Sequence, residues 1–486
     1  MIFNKKNMQI SKWFVRGGVL LMSTLVISCS KMTDEHNAIN NNDLKNSLFE
    51  KISNTPDLSL FTGYLKQTGY DKLLSASGNY TVFAPVNSVF ASISDPTQLT
   101  DTSKLRKLIG NHIAYQLYNT AQVTTTTRIA LVNGKYVNMV AKRIDDANIT
   151  DADKIAANGL LQVTDKIIPY LNNSWEFLSN ANAPSKQSTY MLSLFQKVFD
   201  TSHAVVIGVD PNTGAPIYQA GTDSVFTNLY WSKVHDLRDE KKQFTFFMLT
   251  DNAWDAEVTK YSPYFSTTSP DSTKNAASWH IISDFAVEGV YDPTTVPDTI
   301  LSKFNTKVPV TRTEIVSTYK TSNGIVYVMK KIDVQPSSKF KTILIEAENY
   351  NATSADRRNN TYFRDRFNSV TNLDFRDVLV LNHGVATFNI RYDVKEVPSI
   401  KYKAYWVALN DFQTVTHTQK LGIGTAASTT FAYTTVSLAN YNEVYLGEFT
   451  MPGYRPVLNV YLVAANSTTN TANPLVCDYI KLVPSF

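Results

Sequence analysis

Cysteine, histidine and net charge are all scarce in this chain of 486 residues, and each scarcity closes off a class of function. Two cysteines cannot build the disulfide framework of a small secreted scaffold. Seven histidines, scattered rather than clustered, offer no metal-ligand spacing. The 46 Lys+Arg exceed the 42 Asp+Glu by four, and Lys5, Lys6, Lys12 and Arg16 all lie in the first 28 residues, which hold no acid. The remainder is formally neutral, which argues against the basic footprint of a nucleic-acid binder. No G-x-S-x-G, H-E-x-x-H, P-loop or C-x-x-C motif occurs. A glycan hydrolase would need two carboxylates about 5–10 Å apart, and no motif supports such a pair. What is present is ordinary globular material. At roughly 100–200 residues per domain the length predicts two to four domains.

The first 28 residues read as a targeting segment. Their bases precede the apolar run Val19–Ile27 and then Ser28-Cys29, the order of a secretory signal. The run is too short to span a bilayer, which takes about 20 apolar residues. Val26-Ile27-Ser28-Cys29 resembles the bacterial lipobox, which implies that Cys29 is lipidated and becomes the mature N-terminus. Residues 29–42, polar and rich in Asn, read as a flexible tether. Asp34-Glu35 behind the cysteine resembles the surface-export signal of Bacteroidetes lipoproteins. Cys477 is then left without an intramolecular disulfide partner, so burial alone must stabilise the mature chain.

An internal repeat organises the middle. Asp43 is a candidate N-cap for a helix with Leu44, Leu48, Phe49 and Ile52 on one face. A second helix carries Leu58, Phe61, Tyr64 and Leu65 and stops near Gly69. Thr81–Phe90 reads as strand, proline turn and helix start. Leu105, Leu108, Ile109 and His112 fall at helical spacing, and Asn158-Gly159 is a turn signal before the strand 160–168. The same order returns: Phe246–Trp254 follows Val82–Phe90 at an offset of 164, Trp279-His280-Ile281 follows Asn111-His112-Ile113 at 168, and Asn323–Ile332 follows Asn158–Ile167 at 165. Such a period signals domain duplication. The second copy lacks the turn proline, has Lys330 in place of Asp165, and carries an insert between Asp200 and Gln243. These boxes in this order resemble a fasciclin-like domain, giving one domain over 43–170 and a divergent second over 171–336. His112 and His280 read as core-edge groups bonded to backbone, since neither has a nucleophile or carboxylate motif beside it.

From about Lys341 helical periodicity gives way to short alternating strands, the pattern of an antiparallel sandwich, with Gln335-Pro336-Ser337-Ser338 as the linker. The region 340–486 opens with Ile345-Glu346-Ala347-Glu348-Asn349-Tyr350 and closes with Cys477-Asp478-Tyr479-Ile480. These ends resemble the galactose-binding-type jelly roll of family-6 and related carbohydrate-binding modules. The resemblance implies a structural Ca²⁺ held by Glu346, Glu348 and Asp478, whose hard oxygen donors suit that ion. It also implies a glycan site of loop aromatics, for which Tyr433, Trp406, Tyr441 and Tyr454 are candidates, with Asn466 as amide partner. Trp406 lies within an alternating strand, which favours a core position instead.

The expected architecture is multidomain, with two α+β fasciclin-like domains followed by an all-β jelly-roll sandwich. The expected function is non-catalytic: a lipoprotein anchored in the outer membrane, facing the cell exterior, that binds polysaccharide. The whole resembles accessory lipoproteins of Bacteroidetes polysaccharide-utilisation systems, which work beside a TonB-dependent transporter and its lipoprotein lid. The alternative is an adhesin or structural interaction protein that binds a protein or matrix partner through the fasciclin-like domains.

Overall fold

The computed structural model describes residues 44–180 and 184–486, so the signal segment, Cys29, the tether and Asp43 lie outside the described residues. The chain separates after Leu171 into two compact units. Among the described residues no helix is long and apolar enough to cross a membrane.

The first unit begins with the helix Leu48–Ser53, capped not by Asp43 but by Ser47. Ser47 and Glu50 form a capping box: the Glu50 amide donates to Ser47 Oγ at 3.2 Å, and the Ser47 amide donates to Glu50 Oε2 at 2.7 Å. Two otherwise orphaned donors are satisfied at once, which fixes the start. Leu44, expected on the apolar face, precedes the helix and is 41% exposed. The helix Ser59–Thr68 ends as its sequence predicts, at Gly69 with φ +78°, a left-handed C-cap that glycine adopts without strain.

A seven-stranded sheet holds Tyr80–Pro85 between Ile113–Tyr115, antiparallel, and Gly159–Thr164, parallel. Tyr80–Pro85 is buried on both faces. Val82 and Ala84 point into a core of helix residues such as Phe61 and Leu65, whereas Phe83 joins a second cluster with Ile129, Met139 and Ile144. The helix Thr102–Gly110 stops just before His112, which therefore sits in the following turn rather than on the helix face.

The second unit repeats this centre. Its four-stranded sheet runs Ala286–Glu288, Phe244–Leu249, Gly324–Met329 and Ile315–Thr321, with the middle pair again parallel. The side-chain hardware also repeats. Asn158 Oδ1 accepts from the Leu48 amide at 2.8 Å, and its Nδ2 donates to the Leu74 and Ala76 carbonyls. Asn323 Oδ1 accepts from the Ser174 amide at 2.9 Å, and its Nδ2 donates to the Leu237 and Asp239 carbonyls. Thr81 Oγ1 donates to the Gln116 carbonyl and accepts from the Tyr118 amide, and Thr245 does the same with Gly289 and Tyr291. The insert forms two antiparallel ribbons, Phe195–Phe199 with Ser224–Asn228 and Val206–Val209 with Pro216–Tyr218.

The rest of this unit is antiparallel and β-sandwich-like. One sheet orders Ile343–Glu346, Tyr479–Ser485, Lys401–Trp406 and Val444–Thr450, so the first and last strands of the region are neighbours. A five-stranded sheet and a three-stranded sheet complete it. Its core is continuous with that of the preceding α+β part. The expected linker is instead anchored: Pro336–Lys339 is a short helix. Ser338 Oγ accepts from the Lys307 amide at 2.7 Å, and Phe340 packs its ring 5.0 Å from that of Tyr264.

The buried asparagines set the first prediction. Asn158→Ala or Asn323→Ala strands three backbone groups, two of them in buried bonds, and should cost its own unit roughly 2–4 kcal/mol. Hydrogen exchange at Tyr80–Pro85 and at Phe244–Leu249, respectively, measures the loss, and unchanged protection would refute the assignment. Gly324→Ala should be worse than Asn323→Ala, because a Cβ there would lie 1.8 Å from the Phe244 carbonyl oxygen.

Candidate functional site

On the sandwich, alternation along Lys401–Trp406 points Tyr402, Ala404 and Trp406 inward and Lys403 and Tyr405 outward. Trp406 is 1% exposed and belongs to the core, so it cannot touch a glycan. Tyr454 is also corrected. Its ring packs edge-on to Phe265 at 5.5 Å and to His280 at 5.9 Å, and its hydroxyl bonds Glu396, which makes it part of an internal joint rather than an open loop. Tyr433 is 38% exposed, donates its hydroxyl to the Ala464 carbonyl at 3.1 Å and has the Lys420 ammonium 5.4 Å from its ring. Exposed Asn466 follows two residues after that carbonyl. Tyr441 is half-buried in another loop, where its carbonyl accepts from Asn368 Nδ2.

The outward face of the four-stranded sheet carries a pair that the sequence reading missed. Tyr405 and Tyr445 are cross-strand partners with ring centroids 5.2 Å apart, and Tyr445 is 51% exposed. Lys481, next across the sheet, places its ammonium 5.1 Å from the Tyr405 ring and pairs with Glu443, which also accepts from the Tyr479 hydroxyl. Two rings with a fixed polar fringe can cover an apolar sugar face while bonding its hydroxyls. The signal was available in the period-2 alternation of Tyr402–Trp406, which puts Tyr405 outside once Trp406 is inside.

The three expected calcium ligands lie toward one end of this sheet. Glu346 ends its strand, whereas Glu348 lies beyond it in a turn, so the two do not share a strand face as expected. Asp478 is 5% exposed. Burial, then Glu346, Asp377 and Glu348, push its carboxyl up to about 7. Glu346 is raised by burial and by Glu348, and Glu348 Oε2 is buried without a hydrogen-bond partner. Crowded, partly orphaned carboxylate oxygens have the donor chemistry of a hard cation site. Among the described residues, however, no group of three or more His, Cys, Asp or Glu side chains is gathered closely enough to hold an ion as placed.

His112 is fully buried and doubly bonded. The Ile168 amide donates to Nε2 at 3.0 Å, so Nδ1 carries the proton and donates to the Leu108 carbonyl at 3.0 Å. Both ring nitrogens are spent on backbone.

Residues 56–169 match the family model described as Fasciclin domain. Over 163 residues, 31% of this chain and 90% of the other, the sequence is 25% identical to Protein sll1483 of Synechocystis sp.. Among solved structures, a FAS1 domain pair from the insect cell adhesion molecule fasciclin I aligns over 58% of this chain and 99% of its own, at 15% identity and a TM-score of 0.24. A family 35 carbohydrate binding module from Clostridium thermocellum aligns over 30% and 100%, at 14% identity and a TM-score of 0.21. A family 6 carbohydrate-binding module aligns over 29% and 94%, at 14% and 0.20.

Within residues 56–169, burial pushes the His112 imidazole down to about 4 from its ordinary 6.5. The folded state needs the neutral ring, because protonated Nε2 would confront the Ile168 N–H. This contribution is therefore complete above about pH 6.5 and is lost as pH falls toward 4, by on the order of 3 kcal/mol. The His112 Cε1–H resonance of the full chain should stay fixed from pH 8 to 5; titration near 6.5 would place the ring in water.

Proposed function

We propose that the protein is a non-catalytic, glycan-binding lipoprotein of the cell surface. In this reading Cys29 carries the lipid, the fasciclin domain and a second, divergent fasciclin-like domain act as spacers, and the C-terminal jelly-roll-type sandwich binds polysaccharide. A TonB-dependent transporter and its lipoprotein lid in the outer membrane would take the captured glycan. The observation that carries the reading is the exposed Tyr405–Tyr445 pair with its Lys481–Glu443–Tyr479 fringe. Such shallow sites bind weakly, and anchoring many copies on one surface raises the effective concentration of sites. Tyr433 and Asn466 form a second candidate rim. Ca²⁺ would be held by Glu346, Glu348 and Asp478, where it would offset carboxylate repulsion and tie the first strand to the last.

A second reading, adhesion, is favoured by the fasciclin domain and by the ribbon insert. Phe199 is 69% exposed there, Ile207 64% and Phe226 71%, more apolar surface than two short ribbons need for their own pairing.

Affinity electrophoresis of the full chain against a polysaccharide panel tests the first reading. At least one glycan should retard it, and Tyr445→Ala should weaken that retardation about tenfold, on the order of 1.5 kcal/mol. No retardation by any glycan, with a protein partner captured through the ribbon, would establish adhesion instead. For the ion, millimolar Ca²⁺ should raise the melting temperature by roughly 5 °C over EDTA, and Glu346→Gln with Asp478→Asn should remove the shift. Equal melting in both buffers in the unsubstituted chain would exclude calcium.

A further inference from the structure

The second unit contains a cavity of about 580 Å³ where its α+β part meets the sandwich. That volume suits one or two sugar rings. It opens among the helix Pro270–Ile282, the short helix Pro336–Lys339 and the strand Asn389–Val397. It lies apart from the Tyr405–Tyr445 face, and neither residue lines it.

The charges around it divide into used and unused. Lys339 and Asp284, both with buried side chains, pair with each other, and Asp284 also accepts from Ser302 Oγ at 2.6 Å. Glu396 is held by the Tyr454 hydroxyl and lies 3.3 Å from His280 Nε2. Its backbone sits at φ +56°, opposite Pro456, which has no N–H to contribute to the ladder. A left-handed glutamate costs on the order of 1–3 kcal/mol, and here the carboxylate it presents is clamped at one edge of the cavity. What remains at the mouth is Lys233, Lys341 and Lys395. Among the described residues none of the three ammonium groups has an ion-pair partner. Three free cations around one clamped carboxylate leave the mouth positive.

The wall supplies the other half. Trp279 is partly exposed to the cavity, and the His280 ring stacks on Phe265 at 4.0 Å. His280 Nε2 is buried and faces the Glu396 carboxylate at 3.3 Å. The Glu396 carboxylate beside it, at the cavity edge, can accept from a sugar hydroxyl. An aromatic wall, one carboxylate acceptor and an outer ring of lysines match a ring with hydroxyls and an outward anion.

We propose that this cavity binds an anionic sugar residue, either a uronate carboxylate or a sulfate ester, with Lys233, Lys341 and Lys395 on the anion and Trp279 and His280 on the ring. The proposal does not rest on the sheet-face reading, because the residues are different and a neutral glycan on that face would not need them.

Titration calorimetry of the full chain with oligogalacturonate, sulfated dextran oligosaccharide and neutral dextran oligosaccharide tests it. At least one anionic probe should bind, and which one binds assigns the carboxylate or the sulfate ester. Raising salt from 50 to 200 mM should weaken it at least threefold. Lys233→Gln, Lys341→Gln and Lys395→Gln together should weaken it at least tenfold, whereas Tyr445→Ala should leave it unchanged. Lys66→Gln, Lys166→Gln and Lys241→Gln, a control for net charge, should also leave it unchanged. Failure of both anionic probes to bind, equal binding by the mouth triple variant, or an equal loss in the control triple variant would overturn the proposal.

Discussion

Two parallel strands can begin side by side only if nothing stands between the carbonyl of one and the first residue of the other. At Gly159 a Cβ would lie 2.1 Å from the Tyr80 carbonyl oxygen, and at Gly324 1.8 Å from that of Phe244. Glycine is therefore a steric condition of the central pairing rather than a convenience of the turn. The asparagine before it uses the same closeness. Its amide reaches the first turn of one helix and the stretch that leads into the strand, so one buried side chain satisfies three backbone groups from two segments. Removing the asparagine leaves a buried amide and a buried carbonyl without partners. Both α+β sheets depend on this arrangement.

The second dependence is the joint inside the second unit. Lys339, Asp284, Glu396, His280 and Tyr454 are far apart in sequence and meet where the sandwich contacts the α+β part. A buried Lys–Asp pair is weak evidence for stability, since desolvation offsets most of the attraction. It is better evidence for register, because the short helix Pro336–Lys339 satisfies these partners in one placement only. With Phe340 packed among Tyr261, Tyr264 and Phe265, the segment acts as a rivet. A flexible linker there would leave no fixed cavity, and the lysines would not converge.

How much of this was legible follows from range. Local signals were read well. Gly69 ended its helix, the repeat at offsets of 164 and 165 marked two equivalent strands, and alternation placed strands in the last region. Failures occurred where two local signals competed or where the partner was remote. Asp43 and Ser47 are both good caps, and only the reciprocal Glu50 decides between them. Glu348 sits two residues after Glu346, but the strand ends between them. Tyr454 resembles a loop aromatic until Phe265 and His280, nearly 200 residues earlier, come to meet it. Tyr405 follows from period-2 alternation, since a strand that turns Trp406 inward turns its neighbour outward.

Net charge illustrates the same limit. Past residue 28 the chain has equal numbers of acids and bases, which argues against a broad basic face. That balance constrains the sum and not the arrangement. Lys233, Lys341 and Lys395 come from three separated stretches, each unremarkable in composition. Folding pairs Lys339 with Asp284, which leaves Glu396 at the cavity edge against Lys233, Lys341 and Lys395. Within a Debye length of about 8 Å at physiological salt, a small ligand responds to this local remainder rather than to the total. A neutral protein can therefore select an anion, provided its fold gathers more bases than acids at one site.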